Sequence, residues 1–142
     1  YAAGLNLYDA SDYRSYPDQI AVYQEYCVRD GWEEADTYSA RPGHSEHQTG
    51  MVIDFNDISS DFDDTAEAQW LAENCANRFP EGKEPITGYK YESWHVRYVG
   101  VETAKEIMSR GICLEEYLGV DSEYKNTWPE DPCNPEAGVS EQ

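Results

Sequence analysis

Positive charge is scarce in this chain: 10 Lys and Arg stand against 29 Asp and Glu, a formal net charge of -19 over 142 residues. Phosphate backbones and anionic lipid surfaces need a basic footprint, so nucleic acid and membrane surfaces are excluded as partners. Long apolar runs are missing too. Nothing approaches the roughly 18 consecutive apolar residues of a membrane-crossing helix, and no basic segment followed by an apolar stretch opens the chain. The four cysteines, Cys27, Cys75, Cys113 and Cys133, form no CxxC pair, which argues against a cysteine zinc ribbon or a thioredoxin-like redox site. No internal repeat is evident. Histidine is rare as well, at three residues, yet two of the three fall inside short motifs that look chemical.

Those motifs are Ser45-Glu46-His47-Gln48-Thr49-Gly50-Met51-Val52-Ile53-Asp54 and Glu92-Ser93-Trp94-His95. Two imidazoles and one carboxylate, His47, His95 and Asp54, supply the three protein ligands of a catalytic zinc site, leaving a fourth position for water. Glu92 is then a spare carboxylate able to act as general base, because zinc lowers the pKa of its water to roughly 7 and a nearby carboxylate can take the proton. The reaction class expected is hydrolysis of an amide or ester. His44 lies outside this set and reads as an exposed loop residue near the mouth. The acidic run Asp57 to Asp64 lacks the glycine and distant glutamate of an EF-hand loop and is not expected to hold calcium.

The residues also carry a family resemblance. Ser45-x-His47-x-x-Gly50-x-x-x-Asp54 with Glu92-x-Trp94-His95 and Arg97-Tyr98-Val99-Gly100 resembles the zinc D-alanyl-D-alanine carboxypeptidases of the VanY type, with their LdcB-like L,D-carboxypeptidase and VanX dipeptidase relatives. Ser11-Asp12-Tyr13-Arg14-Ser15-Tyr16 with Gln19 is similar to the family's Ser-Gly-Tyr-Arg-Ser strand end. Gly82-Lys83-Glu84 with Ile86-Thr87-Gly88-Tyr89 is similar to its approach to the second ligand motif. The resemblance covers residues 5 to 119. It implies zinc as cofactor on His47, Asp54 and His95, Glu92 as general base, and Arg14 as the residue steadying the oxyanion. Ser45, Gln48, Tyr13 and Trp94 are candidate substrate-binding positions. Asp12 stands where the family usually has Gly, and Val52 where a small Ala is frequent.

What the resemblance implies about function is a zinc-dependent D,D-carboxypeptidase removing the terminal D-Ala of peptidoglycan stem peptides. Alternatives are an L,D-carboxypeptidase on tetrapeptide stems, an endopeptidase with a more open pocket, and a non-catalytic zinc-containing wall-binding module. It further implies an extracytoplasmic location, cell envelope or secreted, and a monomer is favoured. A chain beginning Tyr1-Ala2-Ala3-Gly4 reads as processed or shortened ahead of this point.

The fold class expected is α+β, a small, mainly antiparallel sheet flanked by helices, of the Hedgehog/DD-peptidase-like zinc type. Residues 1 to 120 form the catalytic domain and 121 to 142 a Pro- and Glu-rich tail held by Trp128 and Cys133 or not at all. Strands are expected at Leu5 to Tyr8 and Met51 to Phe55, the second carrying Asp54. Another is expected around Tyr89 to Val99, with an irregularity that brings Glu92 near His95, since residues three apart point to opposite faces of a regular strand. Helices are expected over Pro17 to Arg29, with Ile20, Tyr23 and Cys27 inward, and over Glu102 to Arg110. A helix opened by an Asp64 cap carries Ala68, Leu71, Cys75 and Phe79 on its inner face, and Leu114 to Leu118 adds a turn. The even cysteine count suggests one or two disulfides, with buried free thiols at Cys27 and Cys75 as the alternative.

Overall fold

Burial alternates along two short segments, Val52–Phe55 and Glu92–Arg97, and these form the centre of a four-stranded antiparallel sheet in the computed structural model, which describes residues 4–122. In chain order the strands are β1 (Asp9–Ser11), β2 (Val52–Phe55), β3 (Asn77–Phe79) and β4 (Glu92–Arg97), arranged β1-β2-β4-β3. Helices are α1 (Tyr16–Asp30), α2 (Trp32–Ala35), α3 (Ala66–Asn74), α4 (Glu84–Thr87), α5 (Val101–Arg110) and α6 (Leu114–Leu118), with 3-10 turns at Glu46–Thr49 and Ser60–Phe62. The α+β architecture expected from the sequence is the one found.

Two apolar clusters hold these layers. On one side Phe62, Ala68 and Leu71 are buried against Leu7, Phe55, Trp70, Trp94 and Val96, so α3 is clamped to the sheet. On the other, Tyr23, Cys27 and Ala35 join Tyr26, Trp32 and Tyr38 where α1 meets α2. Helix α1 begins as its chemistry demands: Ser15 Oγ accepts the Asp18 N–H at 3.3 Å, proline occupies the first turn, and Gly31 beyond the end takes φ +83°.

Several expectations are corrected. The first strand is Asp9–Ser11, not Leu5 to Tyr8. Asn56, at φ +57°, replaces a ladder for the earlier segment: its backbone N–H donates to Tyr8 O, its Oδ1 accepts the Tyr8 N–H and its Nδ2 donates to Asn6 O. The cap of α3 is Thr65, not Asp64, because Thr65 Oγ1 accepts the Ala68 N–H at 3.1 Å while donating to Phe62 O at 2.7 Å. That helix stops at Asn74; Cys75 is extended, and Phe79 belongs to β3 rather than to the helix face. On α1 the innermost residue of the first turns is Gln19, not Ile20, which is only partly buried. Cys27 is disulfide-bonded, whereas Cys75 and Cys113 are free thiols. The expectations for Trp128, Cys133 and the rest of 123 to 142 lie outside the described residues.

Candidate active site

Asp54 and His95 are direct partners across the β2–β4 ladder. Both are buried, and in an antiparallel pair opposite residues present their side chains to the same face. His47 reaches them from the 3-10 turn Glu46–Thr49, which ends at Gly50 in the left-handed region (φ +69°) before the chain runs into β2. The three side chains offer ligand atoms all within 4.8 Å of one another.

Hydrogen bonding fixes how the imidazoles face. His47 Nδ1 donates to Asp12 O at 2.5 Å, so its Nε2 lone pair points at Asp54 Oδ2, 3.1 Å away. His95 Nδ1 lies 2.8 Å from Asp54 Oδ1. A carboxylate facing two imidazole nitrogens is a set of acceptors that only protons or a cation can satisfy, and two His with one Asp is the donor chemistry of catalytic zinc. The residues present therefore fit a zinc ion. Asp12 acts through its backbone carbonyl, which makes no demand on its side chain.

Glu92 Oε2 sits 3.7 Å from His95 Nδ1 although the two residues are three apart on β4. The expected irregularity lies in the β3–β4 pairing, which slips between Asn77↔Val96 and Phe79↔Glu92. Asn77 fills the gap by donating from Nδ2 to Glu92 O and accepting the Phe79 N–H at Oδ1. Burial, reinforced by the charges of Asp54 and Glu46, pushes the Glu92 carboxyl up to about 8, with His95 and Arg78 opposing. Burial likewise opposes charge on Asp54, but hydrogen bonds to His47 and His95 hold it well below the usual carboxylate range. His95 is desolvated and nevertheless pushed up to about 9 by Asp54, Glu46 and Glu92.

The centre opens into a cavity of about 550 Å³ lined by Arg14, Ser45, Trp94, Tyr89 and Tyr91 among others. Arg14 is pinned at both terminal guanidinium nitrogens, Nη1 donating to Gln19 Oε1 (2.8 Å) and Nη2 to Ser11 Oγ (3.0 Å), while Gln19 Nε2 donates to Ala40 O. That task accounts for a glutamine taking the buried place on α1. Of the other sequence candidates, Ser45 is buried on the wall and Trp94 lines it while packing against the α3 cluster. Gln48 braces the loop instead, accepting the Gly43 N–H at 2.8 Å, and Tyr13 is 63% exposed and away from the cavity lining. His44 is exposed at the cavity edge.

Four charged residues behind the ligands were given no role in the sequence reading, although Glu46 and Arg97 lie within its motifs. Arg78 donates from Nε to Glu46 Oε1 (2.8 Å) and grips Glu115 with Nη1 and Nη2 (3.0 and 2.7 Å), and Arg97 Nη1 donates to the same Glu46 oxygen at 2.5 Å. The available signal was an arginine placed beside Phe79 in a short strand and a glutamate between Ser45 and His47.

A buried His-Asp-His triad, an adjacent carboxyl held protonation-ready and a pinned arginine in one cavity define a metallohydrolase-type centre on an α+β scaffold. This chain belongs to the VanY family: the model described as D-alanyl-D-alanine carboxypeptidase matches residues 1–101. The putative carboxypeptidase YodJ of Bacillus subtilis (strain 168) is 38% identical over 126 residues, covering 81% of this chain and 46% of that protein. The chain thus spans about half the length of this curated relative. Among solved structures, the L,D-carboxypeptidase DacB from Streptococcus pneumoniae superposes with TM-score 0.74 at 44% identity, covering 87% of this chain and 71% of that one. A variant of the vancomycin-resistance D,D-pentapeptidase VanY, in complex with Zn(II), gives 0.72 at 35% identity, covering 82% and 74%.

Proposed function

We propose that this chain is a zinc-dependent D,D-carboxypeptidase that removes the terminal D-Ala from peptidoglycan stem peptides. The observation that carries this reading is the convergence of His47, Asp54 and His95 beside Glu92 in a cavity that also holds Arg14. His47 through Nε2, Asp54 through its carboxylate and His95 through Nδ1 would hold the metal. Zinc bound there supplies Lewis acidity for the scissile carbonyl and for the attacking water. In its ionised form Glu92 takes a proton from that water as its oxygen bonds to the carbonyl carbon, then delivers it to the amine nitrogen as the C–N bond breaks. Arg14, held by Gln19 and Ser11, offers a fixed positive charge to the oxyanion that develops between these steps. Its pinned geometry costs no reorganisation during the reaction.

An L,D-carboxypeptidase acting on tetrapeptide stems is the second reading, favoured by the higher identity to DacB than to VanY. An extracytoplasmic site of action agrees with the wall substrate and with the disulfide at Cys27, since such bonds persist in oxidising compartments. Mass spectrometry of pentapeptide and tetrapeptide muropeptides, each incubated with zinc-loaded and chelated protein, tests the proposal. Zinc-dependent loss of alanine from the pentapeptide alone is the expected result. Loss from the tetrapeptide moves the assignment to L,D, and no cleavage of either rejects both.

A further inference from the structure

Glu46 adjoins the ligand His47 in sequence, yet its carboxylate serves the other histidine. Its Oε2 lies 3.5 Å from His95 Nε2, and both atoms are buried with no hydrogen-bond partner among the described residues. The other oxygen, Oε1, is occupied by Arg78 Nε and Arg97 Nη1. The carboxylate is therefore divided: one oxygen anchored by two guanidinium groups, the other turned to the imidazole. Arg78 is itself fixed by the bidentate grip of Glu115 on α6 and lies over the Phe79 ring at 4.6 Å, while Phe79 stacks 5.0 Å from the His95 ring. Every group that could let Glu46 swing is restrained.

We propose that Glu46 is the positioning residue for His95, accepting its Nε2–H so that Nδ1 keeps its lone pair directed at the metal position. This rests on the zinc reading above. A ligating histidine whose far nitrogen donates to a carboxylate is fixed in tautomer and ring angle and becomes a more basic ligand, and loss of such a partner typically weakens metal binding by roughly 10- to 100-fold. His47 needs no such carboxylate, because the Asp12 carbonyl does the same work for its Nδ1. The two ligands are thus oriented by different means, one by backbone and one by a charged side chain anchored through Arg78 to α6.

The test is zinc affinity by chelator competition for the wild-type chain, Glu46→Ala and, as a control for plain destabilisation, Leu71→Ala in the core on the other side of the sheet. Glu46→Ala is expected to bind zinc about 10- to 100-fold more weakly, with Leu71→Ala within about twofold of wild type. Equal affinity for wild type and Glu46→Ala overturns the inference alone, and so does an equal loss in Leu71→Ala. A wild-type chain that takes up no zinc overturns the site reading and this inference with it. Should Glu46→Ala fail to fold, the 15N and 1H spectra of the His95 ring in the zinc-loaded wild type decide: a solvent-protected, downfield Nε2–H supports the assignment, and a proton on Nδ1 or a freely exchanging Nε2–H overturns it.

Discussion

A carboxyl buried beside other carboxylates resists ionisation, and Glu92 sits 3.7 Å from His95 with Asp54 and Glu46 close by. Exchanging it for Gln removes the proton carrier while keeping shape. Glu92→Gln is expected to lower turnover by about 100- to 10,000-fold with zinc content unchanged, read by steady-state kinetics and metal analysis. The same substitution should stabilise the zinc-free protein near pH 8 by on the order of a few kcal/mol, since a carboxyl raised from 4.5 to about 8 opposes folding once ionised. The sign for the zinc-free protein follows from two groups. As pH climbs past about 4.5 the unfolded chain gives up the Glu92 proton first, so stability falls until about pH 8. His95 contributes stability that is complete below about 6.5 and lost as pH rises through about 9. Both act in one direction, so the melting temperature of chelated protein should drop steadily from pH 5 to pH 9. Zinc binding needs deprotonated ligands, and its stabilising increment should grow over the same range. Ligand residues were legible in the sequence because histidine is so scarce here. Glu46 and Arg78 were not, because a charged residue in a surface-rich acidic chain ordinarily reads as solvated, and only packing reveals that these are buried.

Helix α6 is only five residues long, but it delivers Glu115 to the back of the site. Glu115 is 5% exposed, so truncating it would take the partner from Arg78 Nη1 and Nη2 and leave the buried guanidinium only Glu46. Glu115→Ala is expected to cost about 3–5 kcal/mol in urea unfolding, whereas the double variant with Arg78→Met should recover part of that loss, because both members of the pair are gone and Glu46 keeps Arg97 as its partner. Helix α5 was readable from sequence as a helix stopped by Gly111, and α6 as one further turn; Gly111 and Gly119, which close them, both lie in the left-handed region. Periodicity failed at Phe79. It falls eight residues after Leu71, a helical interval, but Asn74 and Asn77 intervene, and the tertiary demand for a fourth strand beside β4 overrides the local pattern. The first strand was displaced for a related reason: Asn56 satisfies the backbone of Asn6 and Tyr8 through its amide, leaving only Asp9 to Ser11 for the ladder.

With a net charge of -19, the folded chain gathers mutual repulsion that the unfolded one spreads out. Salt should therefore stabilise it: raising ionic strength from about 0.01 M to about 1 M shortens the screening length from roughly 30 Å to 3 Å, and the melting temperature is expected to rise. A fall would mean that the exposed ion pairs, such as Lys105–Glu102 and Arg110–Glu106, outweigh the repulsion. Composition made this property plain at once. It gave no warning that three of the arginines, Arg14, Arg78 and Arg97, are turned to the catalytic region and its supports.

One short segment ties two functions together. The Arg14 N–H donates to His47 O at 3.1 Å, and the Asp12 carbonyl two residues earlier receives the His47 ring. Whatever pulls on Arg14 is transmitted to the histidine through covalent backbone and two hydrogen bonds. By thermodynamic reciprocity, any factor by which a ligand on Arg14 strengthened metal binding through this segment would be the factor by which the metal strengthened binding of that ligand.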